Sequence, residues 1–159
     1  MDFITSLPKS QGYEVILVVA DRLSKYAHIL SLRHPFTARN MTKKFIQDVA
    51  KLHGFPKLII SDRDPIFLSK FWGGLFRLQG TTLRISTFYH PQTDGQTKVV
   101  NRCLETFLFC IKSEQPTKWH LWLSWEELWY NTSSHSAIGK THVDFVATVL
   151  IDRDEALRP

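Results

Sequence analysis

The first third of the chain alternates between short β-branched runs and polar turns. Residues 13–21 form one such run, Tyr-Glu-Val-Ile-Leu-Val-Val-Ala-Asp, which is typical of a strand buried on both faces. Residues 26–32 predict an antiparallel neighbour across the polar turn at 22–25. The chain therefore begins with a predicted β-hairpin.

A helical period follows the hairpin. Thr37 has the position and chemistry of an N-cap, and residues 38–53 predict a helix that ends at Gly54 and Pro56. The apolar stripe expected on this helix consists of Met41, Phe45, Val49 and Leu52.

The remaining pattern mixes strands with helices. It predicts strands at 57–61 and 83–85 and helices at 69–78, 98–112 and 118–131. Strands followed by strands mixed with helices indicate an α/β sandwich around a mixed sheet.

Aromatic side chains crowd the last predicted helix. Trp119, Trp122 and Trp129 recur there at helical steps. We expect these rings to fill the core against the preceding helix. A surface that stacks on bases or on a ligand is the alternative.

Length and composition fit one globular domain. The 159 residues are 43% hydrophobic and 22% charged. The longest apolar run, Val15–Ala20, has six residues, whereas a membrane span needs about 20. The N-terminus shows no secretory signal. Cys103 and Cys110 form neither a disulfide framework nor a metal pair, so we expect an intracellular protein of the nucleus or cytoplasm.

Positive charge is concentrated in the first two-thirds of the chain. Residues 1–103 carry 15 basic and seven acidic side chains, whereas residues 104–159 carry five basic and eight acidic ones. This distribution suits a polyanionic partner such as nucleic acid, and simple solubility is the alternative explanation.

Two aspartates stand at predicted strand ends. Asp2 precedes Phe-Ile, and Asp62 follows Leu-Ile-Ile-Ser. Carboxylates at adjacent strand ends can converge on a hard cation such as Mg²⁺. Aspartate also opens ordinary turns, and Asp64-Pro65 is typical of one.

An ordered set of motifs gives these residues a context. In chain order they are Asp-Phe-Ile, Leu-Pro-Lys-Ser, Val-Val-Ala-Asp-Arg-Leu-Ser-Lys-Tyr-Ala-His, Leu-His-Gly-Phe-Pro, Ile-Ser-Asp-Arg-Asp, Tyr-His-Pro-Gln-Thr-Asp-Gly-Gln-Thr and Val-Asn-Arg-Cys-Leu-Glu. Over residues 1–141 the chain resembles the catalytic core of a retroviral-type integrase, most of all those of gypsy-type long-terminal-repeat retrotransposons of plants. Residues 142–159 form a divergent tail that we leave unassigned.

The resemblance implies a ribonuclease H-like fold, with a five-stranded mixed sheet flanked by helices. It also implies an Asp-Asp-Glu triad that binds two Mg²⁺ or Mn²⁺ ions and transfers DNA strands, after 3′-end processing, by attack on a phosphodiester. Asp2 and Asp62 match the two aspartates of the triad. Position 98, thirty-five residues beyond Asp62, should be the glutamate, and it is Lys98.

Lys98 changes the expected chemistry. An ammonium opposes a second divalent ion, because two unit charges 4 Å apart interact by about 4 kcal/mol at an effective dielectric of 20. We therefore expect at most one metal site, held by Asp2 and Asp62, with activity lost or impaired. Lys98 could also pair with both aspartates. Neither Glu105, about 10 Å along the helix, nor Asp94 in the preceding loop is expected to compensate.

The resemblance also implies DNA and protein partners. Tyr89 and Gln92 match the family's DNA-contacting loop, and Arg102 matches a DNA-contacting helix position, while Lys98 adds a phosphate-seeking charge beside them. Family cores form two-fold dimers through their helices, so we expect a homodimer.

Other functions remain open at this point. A non-catalytic DNA-binding or dimerisation module would keep the same fold. Catalysis by Asp-Asp-Lys with one metal is a weaker option, and a ribonuclease H would require a richer acidic cluster. Thr141-His-Val replaces the family's Thr-Pro-Phe, and neither the family's zinc domain nor its C-terminal barrel is recognisable. These features suggest a decayed element copy or an isolated core.

Overall fold

The computed structural model describes residues 1–86, 95–115 and 117–133, and within residues 95–97 and 111–114 it describes the backbone. The elements in chain order are β1 (Asp2–Ile4), β2 (Tyr13–Ala20), β3 (Ala27–Arg33), α1 (Ala38–Phe45), a π-helical turn (Ile46–Ala50), α2 (Lys51–His53), β4 (Leu58–Ser61), α3 (Lys70–Leu78), β5 (Thr82–Ile85), α4 (Gly95–Glu114) and α5 (Trp119–Thr132). The predicted strands and helices are therefore present, with ends that shift by a few residues. Residues 142–159 lie outside the described part.

The predicted hairpin is the core of an antiparallel sheet. The strand order is β1-β2-β3, with Asp2 opposite Val18 and Val18 opposite Ile29. Successive side chains of β2 enter two different hydrophobic clusters, because neighbouring residues of a strand point to opposite faces of the sheet. Val15 and Leu17 enter one cluster, and Ile16 and Val18 enter the other. This confirms burial on both faces.

Strands β4 and β5 form a separate parallel pair. The expectation of one five-stranded sheet is therefore not met, since the described residues form a sheet of three strands and a sheet of two. The Met1 amino group donates to the Ile60 carbonyl oxygen at 2.7 Å and joins the start of β1 to β4. This single hydrogen bond joins β1 to β4 but does not make the two strands members of one sheet.

The first hydrophobic cluster holds the aromatic centre of the fold. It packs α1 and α3 on one face of the sheet, with Phe45, Trp72 and Phe76 at most 1% exposed. Thr37 and Ser69 cap these two helices, accepting from the backbone N–H of Asn40 and Trp72 as predicted for Thr37.

The helix after Thr37 does not bury all of the apolar residues predicted to face the core. Met41, Phe45 and Val49 are buried as expected, but Leu52 is 67% exposed. The π-helical turn at Ile46–Ala50 is the reason. Its i→i+5 hydrogen bonds widen the turn, so the side of the helix that carries Met41, Phe45 and Val49 does not continue through Leu52. The next residue, His53, is exposed as well.

The second cluster places α4 on β2 and α5 on β3. Val100 and Leu104 of α4 are at most 1% exposed. No helix among the described residues combines the length and apolarity that a bilayer span requires.

The tryptophans of α5 do not fill the core as expected. Trp119 is buried at 2% exposure, and its indole N–H donates to the Pro8 carbonyl. Trp122 and Trp129 are 42% and 58% exposed, and Trp125 is 65% exposed. The buried positions of α5 belong instead to Leu123, Glu126, Tyr130 and Asn131.

Glu126 is a carboxyl on the buried side of α5. It is 4% exposed, and burial raises its pKa from 4.5 to about 7. Its charge also raises the pKa of Cys103 on α4, whose burial is the larger cause. The fold therefore favours the neutral acid at this position.

We expect Glu126→Gln to stabilise the protein at pH 8 and to have little effect near pH 4.5. Because the pKa of Glu126 is higher in the folded than in the unfolded state, its protonated form contributes stability to the fold. That contribution is fully present below pH 4.5 and is lost as the pH rises through about 7, where the buried carboxyl ionises. Urea midpoints at the two pH values test this. Glu105→Gln, which removes an exposed carboxyl of α4, is the control. An equal effect of Glu126→Gln at both pH values would contradict the assignment.

Candidate active site

Asp2 is held by hydrogen bonds at both of its carboxylate oxygens. The N–H of Phe3 donates to Oδ1 at 2.9 Å, and Nδ2 of Asn101 donates to Oδ2 at 2.8 Å. The second bond crosses from β1 to α4 over 99 sequence positions. It fixes the orientation of the carboxylate relative to the helix that carries position 98.

Asp62 follows the last residue of β4 and shares this region. Burial raises its pKa, the negative charges of Asp2 and Asp64 add to that rise, and the Asp64 backbone N–H opposes it. The N-terminal ammonium, which lies between the two strands through its bond to Ile60, also opposes it. The two aspartates are thus electrostatically coupled, as expected for carboxylates on neighbouring strands.

Lys98 lies in the first turn of α4, at the predicted start of a long helix. Its side chain is exposed. Within the described residues, no ion pair joins Lys98 to Asp2 or Asp62. The alternative in which Lys98 neutralises both aspartates is therefore absent from this structure.

Asn101 is a site residue that the sequence analysis missed. It follows Lys98 by three positions, which brings it to nearly the same side of the helix. Its Nδ2 holds Asp2, while its Oδ1 is the one buried side-chain polar atom of the described residues that lacks a partner. A buried unpaired oxygen costs about 1–3 kcal/mol. The i, i+3 spacing within Lys-Val-Val-Asn was the available signal.

The donor set fits one hard cation better than two. Asp2 and Asp62 supply half-buried carboxylates, and Asn101 adds an unpaired amide oxygen beside them. All three are oxygen donors of the type that Mg²⁺ prefers. In the described part of the chain, no three His, Cys, Asp or Glu side chains converge on a common point. A third carboxylate is thus missing where Lys98 stands.

The remaining predicted site residues divide into two groups. Tyr89, Gln92 and Asp94 lie outside the described residues. Arg102 and Glu105 lie on the exposed side of α4. Arg102 follows Asn101 directly, so an exposed guanidinium lies next to the helix position that holds Asp2.

Comparison with solved structures decides the fold. The chain matches the catalytic core domain of HTLV-2 integrase in complex with magnesium, with a TM-score of 0.68, 17% identity and coverage of 90% of this chain and 92% of that one. It matches the catalytic core domain of BIV integrase with a TM-score of 0.68, 17% identity and coverage of 96% and 97%. The chain has the fold of an integrase catalytic core. This integrase-like core has the ribonuclease H-like architecture that the motifs predicted.

Sequence comparison links the integrase-like core to retrotransposons. It is 39% identical over 146 residues, 92% of its length, to the Tf2-3 and Tf2-4 transposon polyproteins of Schizosaccharomyces pombe. The match spans 11% of each polyprotein. No protein-family model matches the chain.

Proposed function

We propose that this chain is the core domain of a retrotransposon integrase, of the gypsy type and plant-like, that binds DNA and has lost most of its strand-transfer activity. The observation that carries the proposal is the coupled pair Asp2 and Asp62, held beside a helix whose position 98 is lysine. The integrase-core fold and the similarity to transposon polyproteins support this proposal, and the reaction that we propose is 3′-end processing and strand transfer on DNA.

The protein's own residues perform two tasks in this proposal. Asp2 and Asp62 would hold one Mg²⁺ or Mn²⁺ ion, and Asn101 keeps Oδ2 of Asp2 in a fixed direction. When bound, the ion supplies charge stabilisation at a phosphodiester and a more acidic water. Burial raises the pKa of Asp62, and a bound cation opposes that effect.

Lysine at position 98 takes the place of the negatively charged ligand that a second divalent ion requires. A glutamate there would add a negative ligand, whereas the lysine adds a positive charge that repels a divalent cation. In a two-metal reaction the two ions stabilise the attacking and the leaving oxygens separately. The chain is thus expected to bind one ion and to lack half of that stabilisation.

A non-catalytic DNA-binding module is the second candidate. The same exposed lysine favours it, because an ammonium in the first turn of α4 is suited to a phosphate. Arg102 on the same helix adds a second cation, and Tyr89 and Gln92 complete the proposed DNA contacts. In this case DNA binding persists without turnover. A nuclear or cytoplasmic location fits both candidates.

A second copy of the chain is the proposed partner of α5. Five large apolar side chains of this helix are 42–65% exposed: Leu121, Trp122, Trp125, Leu128 and Trp129. Contiguous apolar surface of this kind marks protein interfaces. Pairing of α5 with its copy would cover it.

We expect Lys98→Glu to convert one-ion binding into two-ion binding and to raise Mn²⁺-dependent strand transfer at least about tenfold, about 1.4 kcal/mol of barrier. Lys98→Ala relieves the repulsion but supplies no ligand, so it should stay inactive. Calorimetric titration with Mn²⁺ and a strand-transfer assay measure the two effects.

Asp62→Asn in the Lys98→Glu background should abolish both gains. If the unmodified chain already matches Lys98→Glu in ion number and turnover, Lys98 is not the defect. If neither protein binds an ion, the metal site itself is wrong.

We expect DNA binding to be independent of sequence and to weaken steeply with salt, with a slope of about −0.9 per phosphate neutralised. Arg102→Ala should reduce the magnitude of that slope by about 1. Arg77→Ala, which removes an equally exposed charge from α3, should leave the slope unchanged. Anisotropy titrations at several salt concentrations give both values. An equal effect of the two variants would remove α4 from the DNA interface.

Sedimentation at micromolar concentration should show a dimer that Trp125→Glu converts to a monomer. Glutamate at this position places a charge on the apolar face of α5, which must lose water on pairing. Leu78→Glu is the control, because Leu78 is 81% exposed on α3. A monomer in the unmodified protein, or equal disruption by Leu78→Glu, rejects this interface.

A further inference from the structure

Two histidines from separate motifs meet at the edge of the three-stranded sheet. His28 ends the Ser-Lys-Tyr-Ala-His motif on β3, and His53 belongs to the Leu-His-Gly-Phe-Pro motif at the end of α2. Their Nε2 atoms are 2.9 Å apart. Neither histidine has a task in the proposed integrase reaction.

Glu127 of α5 completes the group from the other side of β3. Its Oε1 lies 3.2 Å from Nδ1 of His28, and its Oε2 accepts from the backbone N–H of Ile29 at 2.9 Å. The three side chains therefore connect α2, β3 and α5 in one chain of hydrogen bonds. His28 is 6% exposed.

The contacts determine where the protons are. The Glu127 carboxylate accepts, so Nδ1 of His28 carries a hydrogen and donates to it. In the neutral pair, Nε2 of His28 is then an acceptor, and Nε2–H of His53 donates to it. If His28 becomes an imidazolium, it donates to both Glu127 and His53, and every contact survives.

A second proton breaks the pair. Two imidazolium ions would present two N–H groups to each other, with no acceptor between them. Burial lowers the pKa of His53, the charge of His28 lowers it further, and Asp21 opposes both effects. The side chain of His53 lies on an exposed part of the surface, so it can leave the pair for water.

We propose that His28, His53 and Glu127 form a clamp that tolerates one proton and opens at the second, releasing the end of α2 from β3. The clamp holds the segment that leads through Gly54 to β4 and Asp62. Opening therefore loosens the connection that precedes one of the two site aspartates. His53 lies four positions after the buried Val49, just beyond the π-helical turn, and it reaches His28 while its own side chain stays exposed.

Other titratable and charged groups surround the clamp. Tyr26 lies against both imidazoles, with ring centroids 5.1 and 5.8 Å away, and burial and then Glu127 raise its pKa. The two cavities beside His28 are also lined by Met1, Asp21, Arg22, Lys44, Asp48, Lys51 and His120. Lys44 and Asp48 pair with each other at 2.7 Å, so they contribute little net charge to the clamp.

Backbone amide exchange tests the clamp at two positions. The N–H of Gly54 donates to Ala50 at 2.8 Å and reports the end of α2, whereas the N–H of Ile29 reports the contact with Glu127. Between pH 7.5 and 5.0 we expect the protection factor of Gly54 to fall about tenfold, which corresponds to about 1.4 kcal/mol of opening free energy. That of Ile29 should not change, because its N–H bond to Oε2 of Glu127 does not involve His53.

Three variants distinguish opening of the clamp from a general effect of acid on amide exchange. His53→Gln keeps a neutral donor and should remove the pH dependence at Gly54. Glu127→Gln removes the counter-charge of His28 and should move opening to lower pH. His34→Gln, which alters an exposed histidine just beyond β3, should behave as the unmodified protein.

Nuclear magnetic resonance titration of the imidazoles gives an independent measurement on the unmodified chain. Two separate protonation steps, with loss of Gly54 protection only in the second, support the proposal. The proposal is wrong if Gly54 keeps its protection through the second step, or if His53→Gln loses protection as the unmodified chain does. Metal binding and strand transfer play no part in either readout, so this test is independent of the proposed function.

Discussion

Both hydrophobic clusters meet at β2, and the rest of the fold depends on that strand being buried on its two faces. Val15 and Leu17 pack toward α1 and α3, while Ile16 and Val18 pack toward α4 and α5. The backbone of a buried strand is fully hydrogen-bonded only if the strand has a neighbour on each edge. Strands β1 and β3 are these neighbours, and the pairing of β1 with β2 places Asp2 opposite Val18.

The candidate site follows from this arrangement. Strand β1 presents Asp2, the Met1–Ile60 contact aligns β4 beside it, and Asp62 follows at the end of β4. Helix α4 then lies across β2 and delivers Asn101 to the carboxylate of Asp2. The same helix carries Lys98 in its first turn, at the position to which the proposed function assigns the loss of a metal ligand.

The edge of β3 shows how α5 serves two purposes. On its inner side, Glu127 and Asn131 satisfy the backbone of β3, with Asn131 bonding both the N–H and the carbonyl of Ala27. An edge strand covered in this way cannot pair with another chain. On its outer side the helix presents tryptophan rings to solvent. The association proposed for α5 would therefore proceed by side-chain packing and not by extension of the sheet.

Local patterns in the sequence predicted most of the elements and the strand ends at which Asp2 and Asp62 stand. Hydrophobic period and capping residues depend on near neighbours along the chain, which explains why Thr37 was placed correctly at the start of α1. The position of Lys98 in the first turn of α4 followed from the spacing of motifs. These features need no knowledge of which helix packs on which strand.

Tertiary packing decided the rest. The bond between Asn101 and Asp2 and the contact between Glu127 and His28 each span 99 positions, a distance over which periodicity carries no information. The π-helical turn took Leu52 out of the core, because a wider turn rotates every later side chain. Trp122, Trp125 and Trp129 point outward, whereas Trp119 is buried, since most of the inner face of α5 is occupied by residues that bond and pack against β3. Their number was visible in the sequence, but their direction was set by the neighbours of the helix in space.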